Sequence, residues 1–208
     1  MKLFGWFWSI RSTFVHLILR NKMKKQLGDI STIQTGLFAK PLAKGDIVYL
    51  QAKHFNENGQ LNSSLHPDLV SSSISEKHLL KPGDVLFAAK GLKNFAAVYE
   101  SHNPPSVAST SFFVIRLMDS HVLPQFLAWH LNHPVAQKFL KAGAIGSSIP
   151  SISKAVLESL EIPIPSMETQ EAILKVSSLR KLELSIKKQM EDLQEQYIQN
   201  VLIKSIQQ

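Results

Sequence analysis

Between Leu160 and Leu174 the chain reads LEIPIPSMETQEAIL, and from Ser166 to Gln208 it contains neither glycine nor proline. Pro163 and Pro165 hold the backbone extended and end any helix before them. Ser166 stands where a helix N-cap belongs. Glu168, Gln170 and Glu171 lie in or near the first turn, where the helix dipole favours negative charge. The pattern predicts a body that stops at residue 165 and about forty residues of unbroken helix after it. Such a helix spans roughly 60 Å, more than the diameter of the body it leaves.

Leu179, Leu182, Ile186, Met190, Leu193, Tyr197 and Val201 recur at spacings of three and four, so they share one stripe of that helix. The mean spacing lies near 3.6 rather than 3.5, which does not impose a heptad supercoil. A stripe this long on an otherwise charged helix calls for a partner. Because the helix outreaches the body, packing against another helix is expected over folding back.

A length of 208 residues suits one domain with an appendage, and 44% apolar with 19% charged residues suits a folded domain. The net charge of +7 invites an anionic partner, a nucleic acid or a membrane surface. Its distribution is uneven. Residues 1–22 carry Lys2, Arg11, Arg20 and Lys22 without an acid, residues 166–208 are balanced, and the body keeps a small excess. The absence of cysteine excludes disulfides and thiolate metal sites and is compatible with the cytoplasm.

The first 22 residues hold Trp6, Trp8 and three Phe around Arg11. Arg11 splits the apolar run, no small-residue cleavage site follows, and no uncharged stretch is long enough to span a bilayer. An interfacial amphipathic helix is one reading. The expected one is that translation begins at Met23, where MKKQLGDI makes a natural start.

In the body, Asp46–Ala52 alternates and predicts a strand. Lys81-Pro82-Gly83-Asp84 is a turn with proline at its second position. Val85–Ala89 and Phe95–Tyr99 form a hairpin around an exposed tip, Gly91–Asn94, and Phe112–Leu117 is the clearest strand. Helices are expected from Pro124 and from Pro134, a flexible loop at Gly143–Ser148 and a last strand at Leu157–Ile162. Strands early and helices late predict an α+β body.

Several patterns carry no chemistry. Asn103-Pro104-Pro105-Ser106 lacks the aromatic ring that an amino-methyltransferase stacks on a flipped base. Ser-x-x-Lys occurs at 151–154, 178–181 and 185–188 without partner motifs. His130 and His133 have no third metal ligand at sensible spacing. No carboxylates cluster as a nuclease would need. No metal or cofactor is expected.

Taken in order, LGDISTIQTGL at 27–37, YLQAKHFNENGQL at 49–61, LLKPGDVLFAAKG at 79–91 and VASTSFFVIRL at 107–117 resemble the DNA-specificity subunits of type I restriction–modification systems. The stretch from Phe126 to Pro165 and METQEAIL at 167–174 continue the likeness, which covers about residues 24–208. Family members usually carry two recognition domains and two helices, and only one of each is visible here, without an internal repeat. The resemblance implies a target-recognition domain at 23–165 with a mixed or antiparallel sheet and peripheral helices, then a coiled-coil-like spacer helix at 166–208. It implies a non-enzymatic reader of duplex DNA. A methylation subunit would carry the adenine chemistry, a restriction subunit would join it, and self-association through the helix would rebuild a two-part reader. On loop position and side-chain type, the expected DNA contacts are Lys40 and Lys44, Lys53 and His54, Lys90, Lys93 and Asn94, and Ser147 and Ser148. The rival class is a membrane-associated adaptor anchored by residues 1–22.

Overall fold

The computed structural model describes residues 23–206 except 57–58, 63, 92 and 147–149. The leader at 1–22, with the two readings of it, and the expected contacts Ser147 and Ser148 lie outside the described residues. The chain divides after Met167 into two compact units.

The first unit is built on a four-stranded antiparallel sheet. Its strands are β2 (Ser31–Thr35), β4 (Val85–Ala88), β5 (Ala96–Val98) and β7 (Phe112–Leu117), in the order β2-β7-β4-β5. Two strand pairs flank it. β3 (Val48–Leu50) runs parallel to β6 (Ser106–Ala108), and β1 (Met23–Gln26) runs antiparallel to β8 (Glu161–Ile164). The helices are α1 (Leu27–Ile30), α2 (Pro124–Asn132), α3 (Pro134–Ala142) and α4 (Lys154–Glu158).

β4 is apolar at every position and buried at every position, so both faces of the sheet are covered. Leu86 and Ala88 point to one face with Phe112 and Val114 of β7, where they meet Val48, Leu50 and Ala108 of the β3–β6 pair. Val85, Phe87 and Ile115 point to the other face and are wholly buried. α2 lies against β4 and β5. Each buried Phe or Leu of this core contributes roughly 1.5–3 kcal/mol. The free edge of β5 is closed by a side chain. Asn132 accepts from the Ala96 N–H and donates to the Ala96 carbonyl, both at 2.8 Å, as a neighbouring strand would.

The turn before β4 carries the main ion pair of the sheet. Asp84 is 1% exposed. It accepts two hydrogen bonds from the Arg116 guanidinium, at 2.7 and 2.6 Å, and one from the Lys81 N–H at 2.8 Å. The bond to Asp84, ahead of burial, holds the Arg116 pKa above its ordinary value. The paired, fork-shaped geometry satisfies a carboxylate that burial alone would penalise.

Three elements depart from the sequence expectation. The stretch 157–162 is not one strand: α4 runs to Glu158, and β8 begins at Glu161. Ser153 explains the helix, since its hydroxyl accepts from the Val156 N–H at 3.3 Å. Pro163 is tolerated in β8 because that strand pairs on one side only. The strand expected at 46–52 is confined to Val48–Leu50, since a 3₁₀ turn takes over at Ala52. Residues 106–108, which the sequence does not mark as a strand, form one through a partner 58 residues upstream.

The second unit is a single helix, α5 (Met167–Ile206), beginning directly after Ser166. Its stripe, Leu179, Leu182, Ile186, Met190, Leu193, Tyr197 and Val201, is exposed throughout. Glu183 bridges Lys187 and Arg180, each at 2.7 Å, and these contacts hold its pKa down to about 2.

Candidate nucleic-acid interface

Strand register decides which loops meet. β2 ends at Thr35 opposite Phe113, β4 ends at Ala88 opposite Phe112, and β5 begins near Ala96 opposite Phe87. The loops after β2, between β4 and β5, and before β7 therefore leave the same end of the sheet. β3 and β6 are parallel, with Leu50 opposite Ala108, and the Ser109 N–H donates to the Leu50 carbonyl at 2.8 Å. The turn after β3 consequently emerges at that end too. The rings of Phe55 and Phe95 stand 5.3 Å apart and those of Phe55 and Phe112 5.4 Å apart, fastening that turn to the hairpin. A fifth segment joins through the Ile152 N–H, which donates to the Ala89 carbonyl at 2.9 Å, and through bridges from Ser151 to Lys90 and Ile145.

The loops of this rim themselves carry cations without acids, although Asp68, which accepts from the Tyr49 N–H at 2.7 Å, is near enough to act on His54. The segments 36–45, 51–56, 89–95, 109–111 and 143–153 contain Lys40, Lys44, Lys53, Lys90 and Lys93 and no Asp or Glu. Asp29 precedes β2, Asp84 precedes β4, Glu100 follows β5 and Asp119 follows β7, so these acids lie toward the opposite end. Glu57, the acid beyond the 51–56 turn, is outside the described residues. Cations stand at the end of Asp84 and Asp119 as well, where Arg116 and Lys25 pair with them, so what distinguishes the rim is lysines without an acid in the same loop.

The expected contact residues fall unevenly on the rim. Lys53, Lys90 and Lys93 are exposed there, from two loops tied by the Phe55–Phe95 contact. Lys40 is exposed in the loop that leaves β2. Lys44 belongs to the same loop but sits at the entry to β3, the far end of that short strand, so the register does not bring it to the rim.

His54 and Asn94 are more structural than expected. His54 closes the 3₁₀ turn, its Nδ1 accepting from the Gln51 N–H at 3.2 Å. That bond leaves the ring proton on Nε2. Burial, then the neighbouring Lys53, lowers its pKa, so the ring is neutral at pH 7 and Nε2–H is a donor. The Asn94 amide donates to the Ala88 carbonyl at 2.9 Å and braces the hairpin tip. Gly91, with φ of 111°, turns the chain at that tip, where nothing crowds it.

The loop 36–45 is anchored at both ends. The Gly36 N–H donates to the Phe112 carbonyl at 3.0 Å and the Leu37 N–H to the Ala108 carbonyl at 2.8 Å. The Leu42 N–H donates to the Asp68 carbonyl at 2.7 Å. Asp46 is held by the Ser71 N–H at 2.7 Å and by its hydroxyl, which together lower the Asp46 pKa. Three exposed apolar side chains accompany the cations, Phe38 and Leu42 in this loop and Ile145 beside Ser151. None figured in the sequence expectation, because a lone apolar residue in a loop breaks no period and announces no contact.

Among the described residues no three His, Asp or Glu side chains gather to hold a metal ion, and no helix is long and apolar enough to cross a membrane. His133 caps α3, accepting from the Val135 N–H at 3.3 Å. The Asn103 carboxamide accepts from the Glu100 N–H at 2.6 Å and shapes a turn. What these loops offer chemically is a set of ammonium donors, one imidazole donor and exposed apolar side chains on a rigid sheet.

The family model of the type I restriction modification DNA specificity domain matches residues 20–195. The chain belongs to this family. The specificity domain shares its fold with solved relatives. The S subunit of a type I system from M. genitalium matches 79% of this chain and 40% of its own, at 19% identity and a TM-score of 0.56. The HsdS subunit of Thermoanaerobacter tengcongensis matches 82% and 40%, at 18% identity and 0.59. A chain from a structure described as showing complex assembly and conformational transition of the type I R-M system matches 88% and 44%, at 17% identity and 0.64. The specificity domain spans less than half the length of each. No curated protein matches it. The α+β body and long C-terminal helix read from the sequence are the fold of these subunits, and the family is in general non-catalytic.

Proposed function

We propose that this chain is the sequence-reading component of a type I restriction–modification system. The observation that carries the reading is the convergence of five acid-free loops on one end of the sheet. Lys40, Lys53, Lys90 and Lys93 would neutralise phosphates and set the register on the duplex, while the Nε2–H of His54 reaches an acceptor on a base edge. Residues 23–165 form the recognition domain and 166–208 the spacer. Catalysis is delegated to a methylation subunit, with a restriction subunit joining the complex, and the assembly works in the cytoplasm.

One recognition domain reads one half-site, so a full reader takes two. The exposed stripe of α5 supports pairing with a second copy. Its spacings run 3, 4, 4, 3, 4, 4 and bring Leu179, Met190 and Val201 to the same position every eleven residues. An eleven-residue period of 3.67 per turn favours nearly straight or slightly right-handed pairing over a left-handed heptad coil. A two-fold pair then implies an interrupted, inverted-repeat site.

Light scattering of the full chain tests the pairing. The expected mass is that of a dimer, falling to a monomer when Ile186 and Leu193 are both changed to Asp. Both positions are exposed in the single chain, so the helix itself survives the change. A full chain that is monomeric at micromolar concentration removes the symmetric-site model.

A further inference from the structure

Phe38 is 83% exposed on a segment with no freedom to bury it. The Tyr49 hydroxyl grips the backbone on both sides of the ring. It donates to the Leu37 carbonyl at 2.9 Å and accepts from the Ala39 N–H at 3.3 Å. Leu37 is bridged to Ser109, and Gly36 is packed against the carbonyls of Ala108 and Ser109 so closely that an added Cβ would lie 2.1 Å from the nearer oxygen. Tyr49 itself is buried. The ring is therefore presented into water by a rigid mount, so it can meet a partner without the cost of ordering its loop.

The surroundings identify the partner's chemistry. Lys40 follows two residues later, and the rim segments of Lys53, Lys90 and Lys93 carry no acid. Protein-docking anchors sit in apolar patches with the charge at the rim. This ring instead shares its loop with Lys40, and that loop leaves the same end of the sheet as the loops of Lys53, Lys90 and Lys93, which suits a polyanion whose interior is a stack of flat apolar rings. We infer that Phe38 enters the base stack of DNA, wedging at one base step of the half-site. Such a wedge opens a step and bends the duplex, and it discriminates by how easily that step unstacks, which favours pyrimidine–purine steps. Phe38 would then be a specificity-determining residue that forms no hydrogen bond to any base. The inference rests on the DNA-reading function proposed above.

The test uses the full chain and a 40-base-pair duplex pool with a randomised centre. Sequences bound by the wild-type chain are selected, and binding of the selected duplex is followed by anisotropy across a salt series. Phe38→Ala is expected to bind that duplex about 10- to 100-fold more weakly, the range of a lost ring–base stack. The slope of log affinity against log salt should stay unchanged, because no phosphate contact is lost. The variant's own selected pool should lose preference at one base step per half-site, and Phe38→Trp should retain both affinity and preference. Since the ring lies in water, the unfolding midpoint of Phe38→Ala should match the wild type. Equal affinity and an identical selected sequence for Phe38→Ala would overturn the wedge while leaving DNA reading intact, and would point to a protein partner for the ring. A reduced salt slope would also overturn it, by showing that the ring merely supports the lysines. No duplex binding by the wild-type chain at low salt would overturn the DNA reading itself, and the wedge with it.

Discussion

Gly36→Ala is expected to lower the unfolding free energy by about 3–5 kcal/mol. The added methyl carbon would stand 2.1 Å from the Ser109 carbonyl oxygen, 2.5 Å from that of Ala108 and 2.6 Å from the Ser109 carbonyl carbon. All three are backbone atoms, so no side chain can swing aside. Relief requires parting the loop from the β6–β7 turn, at the expense of the Gly36–Phe112 and Leu37–Ala108 hydrogen bonds. Two such bonds contribute roughly 0.5–1.5 kcal/mol each. Overpacking against a fixed wall adds about 1–3 kcal/mol more. Urea unfolding reads the effect as a fallen midpoint with an unchanged slope. An unfolding free energy within about 0.5 kcal/mol of the wild type would mean that the loop is not clamped there, and would remove the rigid mount on which Phe38 depends.

The second large effect is on binding. Changing Lys53, Lys90 and Lys93 together to Glu is expected to weaken duplex affinity by about 10²–10⁴-fold near 0.1 M salt. The salt slope should flatten by about 3, close to one unit for each phosphate contact. The three side chains are exposed, so the fold should survive. Lys81→Glu, one charge changed in the turn before β4, serves as the contrast. It lies at the sheet end that carries Asp84 and should move affinity only slightly. An equal loss per charge at both ends would show that net charge, not the rim, drives binding.

Local patterns disclosed the parts of the fold that are made locally. The apolar, β-rich run Phe112–Leu117, the prolines opening α2 and α3, the turn at Lys81–Asp84 and the hairpin it launches all stand where their residues indicate. What the local pattern hid is made by distant partners. β1 and β8 pair across 137 residues, and β6 exists because β3 lies beside it. Ser153 caps a helix that apolar content alone suggested was a strand.

The candidate site divides in the same way. Each basic loop was readable by itself, from lysines beside glycines and turns. Their convergence was not, because it follows from the order β2-β7-β4-β5 and from the parallel β3–β6 pair. The overall charge balance was misleading for the same reason, since acids at one end of the strands pair with cations there, Asp84 with Arg116 and Asp119 with Lys25, while the lysines of the rim loops have no acid in their own segments. Two expected contacts changed character once seen in place, with His54 closing a turn and Asn94 bracing a hairpin. Phe38 became visible only when burial showed it to be the most exposed large apolar residue of its loop, ahead of Leu42.

If this rim, doubled by pairing through α5, reads a two-part DNA sequence, the duplexes that the full chain retains from a randomised pool will show it on sequencing. The expected result is an enriched pair of short half-sites in inverted orientation, separated by a gap of fixed length that carries no preference. A folded chain that retains duplexes with no enrichment over the starting pool would contradict it.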